Sequence, residues 1–107
     1  MRKRITFRSM GHSDSIEKYI YKKIEIIDKF FKRQPLPIYI DTMIEGHKER
    51  DYFTADVKLN SSQYHITIHT QGVDVYSIID EAIYRLIKNI TRKKERSHSL
   101  ARLSYSL

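Results

Sequence analysis

Three successive runs in the middle of the chain alternate between apolar and polar residues, and this restricts the fold more than any other feature. Ile38, Ile40, Thr42 and Ile44 alternate with Tyr39, Asp41, Met43 and Glu45; Phe53, Ala55, Val57 and Leu59 keep the same two-residue period, as do Tyr64, Ile66, Ile68 and Thr70. A period of two sends alternate side chains to opposite faces of a sheet, so each run predicts a strand with one apolar face. The connections, Gly46 to Arg50 and Asn60-Ser61-Ser62, are short and built from turn formers. Strands joined this way pair antiparallel.

On either side the apolar period lengthens to that of a helix. Ile16, Ile20, Ile24, Ile27 and Phe31 recur at helical spacing behind a start at Ser13 or Asp14, where Asp14 and Glu17 have capping-box spacing. This helix is expected to reach about Lys32, ahead of the breaker Gln34-Pro35-Leu36-Pro37. A second helix is expected from Asp74 to Arg96, with Ile79, Ile83, Leu86 and Ile90 as its buried stripe. Arg4 to Arg8 alternates, with Ile5 and Phe7 on one face, and reads as a first strand.

The order is β-α-β-β-β-α. A right-handed helical crossover makes the first two strands parallel if they are adjacent. Because each helix has one apolar stripe, the expected fold is a two-layer α+β domain, a four-stranded sheet with both helices on one face and the other face wet. Its 107 residues suit one core. Residues 1–96 are expected to form that domain, and 97–107, Ser-rich and without periodicity, a disordered tail.

The chain has no cysteine, so disulfides and thiolate metal sites are excluded. No run is long and apolar enough to span a bilayer, and Met1-Arg2-Lys3-Arg4 lacks the apolar stretch a signal peptide needs after its basic start. Of five histidines only His65 and His69 are close in sequence, and four residues along a strand separate them by roughly 13 Å, too far for one metal ion. No phosphate-binding glycine loop and no nucleophile with an adjacent base are present, so neither an enzyme, a metal nor a cofactor is expected.

Charge is the distinctive bulk property. Lys and Arg number 20 against 13 Asp and Glu, a net charge of +7. Arg85, Lys88, Arg92, Lys93, Lys94 and Arg96 stand against the single acid Glu95 and carry five of those seven charges. At about 100° per residue, Arg85, Lys88, Arg92 and Arg96 fall within an arc of about 80° beside the buried stripe. A row of cations on a packed helix suits a phosphate backbone, so an acidic partner, RNA ahead of anionic lipid, is expected. On the first helix Lys18, Lys22 and Lys29 share a face, while Lys23 lies nearer the buried stripe and is expected to snorkel past it. The open sheet face would carry Arg4, Thr6, Arg8, Tyr39, Tyr52, Lys58, His65 and His69, with Asp41 and Asp56 among them. It reads mainly as a solvated polar face on which Arg4 and Arg8 can still reach phosphate.

Gly72-Val73-Asp74-Val75-Tyr76-Ser77-Ile78-Ile79-Asp80, followed by a basic helix, resembles the ribosome hibernation factor family, also called ribosome-associated inhibitor or sigma-54 modulation protein. Its pattern here is G-x-D-M-Y-A-A-I-D, matched at Gly72, Asp74, Tyr76, Ile79 and Asp80. Lys22, Lys23, Lys29 and Phe30-Phe31 stand where the family has K-K, K and Y-F, and the resemblance covers residues 4–96. Val75, Ser77 and His69 depart from its usual residues.

The resemblance implies a non-enzymatic cytoplasmic protein that enters the small ribosomal subunit between head and body, covers the tRNA and mRNA sites, and stalls idle ribosomes. It also implies the short form of the family, without the second, dimer-forming domain. The RNA-binding residues it points to are Arg85, Lys88 and Arg92 first, then Lys22, Lys23, Lys93, Lys94 and Arg96, to which the reading of the sheet face adds Arg4 and Arg8. Asp74, Tyr76 and Asp80 are expected to be structural, Asp74 as a helix cap. The expected partners are the small subunit and its rRNA, with no DNA, no membrane, and a monomer off the ribosome. A generic double-stranded-RNA-binding domain shares the sheet-and-two-helix plan, and a module acting on a transcription factor fits the older family name; both remain alternatives.

Overall fold

The alternating runs assemble into a single sheet. The computed structural model describes residues 1–31 and 37–105, with side chains described as far as Lys93. In chain order the elements are β1 (Arg2–Arg8), α1 (Asp14–Asp28), a 3₁₀ turn (Lys29–Phe31), β2 (Tyr39–His47), β3 (Tyr52–Asn60), β4 (His65–Gly72) and α2 (Val75–Tyr105). The strand order is β1-β2-β3-β4, with β1 parallel to β2 and the other two pairs antiparallel.

Register fixes which side chains share a face. Ile5, Thr42, Val57 and Ile68 form one cross-strand row, and Phe7, Ile44, Ala55 and Thr70 the next. These rows face the helices. Ile20, Ile24 and Ile27 of α1 and Ile79, Leu86 and Ile90 of α2 lie over them, each 2% exposed or less. Full burial of such a side chain contributes roughly 1.5–3 kcal/mol, so the two stripes hold both helices against the sheet. Lys3 of β1 also points to this layer, and its Nζ meets Asp28 Oδ2 at the end of α1 at 3.1 Å.

The helix starts are built from local chemistry. Ser13 is the cap of α1: in extended conformation, its hydroxyl accepts the Ile16 N–H at 3.3 Å and its carbonyl accepts the Glu17 N–H at 3.0 Å. The Glu17 carboxylate turns to His12 instead of closing a capping box. At α2, Asp74 Oδ1 accepts the Tyr76 N–H at 3.0 Å and Oδ2 accepts the Ser77 hydroxyl at 3.0 Å.

Several boundaries differ from those read in the sequence, β1 for one starting at Arg2 and not at Arg4. α1 gives way after Asp28 to a 3₁₀ turn, a tighter winding that brings Phe31 into edge contact with Tyr64, centroids 5.6 Å apart. β2 runs through Gly46 to His47, because Gly46 pairs with Phe53 and lets the chain from β1 pass close; a Cβ there would lie 3.2 Å from Met10 Cβ. The helical backbone of α2 continues past Arg96 to Tyr105; after Gly72 no glycine or proline interrupts it. Lys32 and the breaker segment at 34–36 lie outside the described residues.

Candidate nucleic-acid interface

Burying Ile83, Leu86 and Ile90 turns the opposite side of α2 outward, and that side is basic. Arg85, Lys88, Arg92 and Lys93 are all exposed, and no acid occurs from Ala82 to Lys93. The four are held differently. Arg85 donates from Nη2 to Glu81 Oε1 at 2.6 Å and from Nη1 to the His69 carbonyl on the edge strand β4 at 3.3 Å. Its guanidinium therefore ties α2 to the sheet as well as facing solvent. The Lys88 ammonium stands 5.8 Å from the centroid of the Tyr84 ring one turn back, a cation–π geometry. Lys93 leans the other way, over the Tyr64 ring at 5.7 Å, and so leaves the row of Arg85, Lys88 and Arg92. Lys88, Arg92 and Lys93 have no carboxylate partner among the described residues. The side chains of Lys94 and Arg96 lie outside the described residues.

On α1 Lys18 and Lys22 are exposed, as is Lys29 in the 3₁₀ turn that follows. Lys23 is half-buried and committed: its Nζ lies 3.2 Å from Asp80 Oδ1 and 5.3 Å from the Tyr19 ring centroid. The Tyr19 hydroxyl donates to the same Asp80 oxygen at 2.5 Å. That carboxylate raises the pKa of both, the hydrogen bond being the largest cause in each case. Tyr76, one turn earlier on α2, stands edge-on to Tyr19 with centroids 4.9 Å apart, and its hydroxyl donates to Ser15 Oγ at 3.4 Å. Among the residues read as RNA-binding, Lys23 is thus part of the seam between the helices, where its expected snorkelling ends on a carboxylate.

Arg4 and Arg8 are exposed on the far face of the sheet, in register with Asp41 and Glu45 respectively. The sheet separates them from the helix cations, so no single surface holds all the candidates. On that face His69 Nδ1 lies 2.6 Å from Asp56 Oδ1 and His65 Nδ1 lies 3.1 Å from Asn60 Oδ1, so cross-strand partners hold both rings. Sequence reasoning passed over His12, whose Nε2 lies 2.9 Å from Asp14 and 2.8 Å from Glu17. A histidine and two acids around a helix cap were visible, but their convergence depends on the bend at Ser9 to Ser13. His12 and Asp14 are exposed and Glu17 is half-buried at the head of α1. Tyr84, the most exposed aromatic among the described residues at 64%, was also passed over, although helical spacing places it beside Lys88.

The family model described as Sigma 54 modulation protein / S30EA ribosomal protein matches residues 4–98. No curated protein is significantly similar to the chain in sequence. Among solved structures, the Protein Y N-terminal domain of Thermus thermophilus superposes with a TM-score of 0.73 at 19% identity, covering 86% of this chain and 98% of that one. A ribosomal subunit interface protein from Coxiella burnetii superposes with a TM-score of 0.71 at 17% identity, covering 89% of this chain and 99% of that one. At these identities the likeness is one of fold.

Proposed function

Because the chain belongs to the sigma 54 modulation protein / S30EA ribosomal protein family, we propose that it is a non-enzymatic translation regulator that binds small-subunit rRNA and covers the tRNA and mRNA sites of idle ribosomes. The observation that carries this reading is the outward side of α2, where Lys88 and Arg92 are exposed, without a carboxylate partner among the described residues, on a helix anchored by Leu86 and Ile90. A rigid row of unneutralised cations contacts phosphate without reading sequence, as a protein filling a cleft in a folded RNA requires. Arg85 joins the row, its fork oriented by Glu81. Lys22 extends the basic surface onto α1. The protein acts in the cytoplasm, where its partner is; no described helix is long and apolar enough to cross a membrane.

Sedimentation of the purified protein with isolated small and large subunits tests the proposal. The expected result is comigration with the small subunit, reduced by prior loading of mRNA and tRNA. A peak that stays at the top of the gradient with both subunits contradicts it.

A further inference from the structure

The seam between the helices is closed at two levels and open at the next. Tyr76 of α2 meets Tyr19 of α1, and Asp80 meets Tyr19 and Lys23. Continuing at helical spacing, the following residues on the same sides are Ile26 on α1 and Tyr84 on α2. Neither is covered: Ile26 is 41% exposed and Tyr84 64%. Single exposed apolar residues are ordinary on a protein surface. Tyr84 differs in its setting, within an acid-free stretch of α2, next to Arg85, with the Lys88 ammonium at one face of its ring.

We propose that Tyr84 is a stacking platform for an unpaired RNA base at this opening, with Lys88 and Lys22 on the phosphates flanking that nucleotide. The inference rests on the reading of α2 as an RNA-binding surface and adds a contact of another chemical kind. The Lys88 ammonium stands over one face of the ring, and the residue is 64% exposed. A phenol ring accepts any base, because every base has a π face, so the contact fits binding positioned by phosphates.

Stacking is not ionic, and this separates it from the cation row in experiment. Binding of the full chain to isolated small subunits is measured across a salt series for the parent and for Tyr84→Ala, Tyr84→Phe and Tyr84→Leu, each checked for an unchanged thermal melt. Tyr84→Ala is expected to weaken binding about tenfold at every salt concentration, leaving the salt slope unaltered, because no phosphate contact is lost. Tyr84→Phe is expected to bind like the parent and Tyr84→Leu like the alanine variant. Parent-like binding by Tyr84→Ala, or full rescue by Tyr84→Leu, overturns the stacking role while leaving the subunit-binding reading in place. Failure of the parent itself to bind overturns both.

Discussion

Lys23 and Asp80 are joined across the helix seam, the ammonium 3.2 Å from the oxygen that also accepts the Tyr19 hydroxyl. Adjacent lysines on α1 therefore have different tasks: Lys22 faces solvent, while Lys23 fixes how the two basic helices lie together. Lys22→Glu is expected to weaken subunit binding with little change in the melting temperature. Lys23→Met is expected to do the reverse, lowering the melting temperature with a smaller effect on binding. Equal effects of the two on binding would refute the division.

The same cluster predicts a dependence on alkaline pH. In the fold Tyr19 titrates above 10.0 and Lys23 above 10.5, because Asp80 holds the proton on each. Groups raised in the folded state add stability that is full below their unfolded values and lost as pH climbs through the folded ones. Urea midpoints of the parent should therefore fall above about pH 10. Asp80→Asn should start lower at neutral pH and fall less over the same range. Parallel alkaline profiles would contradict the assignment.

Gly72 owes its place to packing at the junction of β4 and α2. A Cβ there would come within 2.9 Å of Ile78 Cγ2, and Ile78 is 3% exposed and cannot swing away. Gly72→Ala is expected to cost about 1–3 kcal/mol by overpacking. Adding Ile78→Ala removes the clashing methyl, so the double variant should be more stable than the sum of the single losses, read from chemical denaturation. Strict additivity would show that the contact is not the cause.

Two threonines sit on the helix-facing side of the sheet with different fates. Thr70 donates its hydroxyl to the Ile78 carbonyl at 2.9 Å, while Thr42, 1% exposed, finds no partner among the described residues. Thr42→Val keeps the shape and removes an unpaired polar atom, so it is expected to raise stability by about 1–2 kcal/mol. Thr70→Val leaves the Ile78 carbonyl without that donor and should be destabilising. A loss of stability in Thr42→Val would show that its hydroxyl is satisfied in solution.

How much of this was legible in the sequence follows from what each feature depends on. The strand faces were readable because a period of two is a property of neighbouring residues, and Ile40, Thr42, Ile44, Val57 and Ile68 all face the helices as their alternation implied. The cap at Asp74 was readable for the same local reason, while the first was narrowed to Ser13 or Asp14 and falls on Ser13. The commitments of the cations were not. The pairing of Arg85 with Glu81, one turn away, is local, but whether Lys23 faces RNA or Asp80, and whether Arg85 also reaches the His69 carbonyl, is set by residues far away in the chain. Past Arg96 the Ser-rich composition and the absence of any glycine or proline point in opposite directions, and the backbone of α2 follows the second.

Salt should weaken binding to the small subunit in a graded way. Each phosphate neutralised releases counterions, so four to six contacts give a slope of log affinity against log salt of about −3 to −5, depending on how much of the RNA is duplex. A flat response would rule out phosphate contacts as the source of affinity.

Reversal of Lys88 and Arg92 together to Glu tests the central claim most directly. Both are exposed, neither has a carboxylate partner among the described residues, and Glu is a good helix former, so a cooperative melt should survive. Arg85 is left in place because reversing it would set a carboxylate one turn from Glu81 and remove the donor to the His69 carbonyl. Small-subunit binding and inhibition of translation should collapse, since each change replaces an attraction to phosphate with a repulsion. The matched reversal of Lys18 and Lys29 should cost far less, as Glu25 interrupts their row. If the Lys88 and Arg92 variant melts cooperatively yet binds and inhibits as well as the parent, α2 is not the ribosome-binding surface.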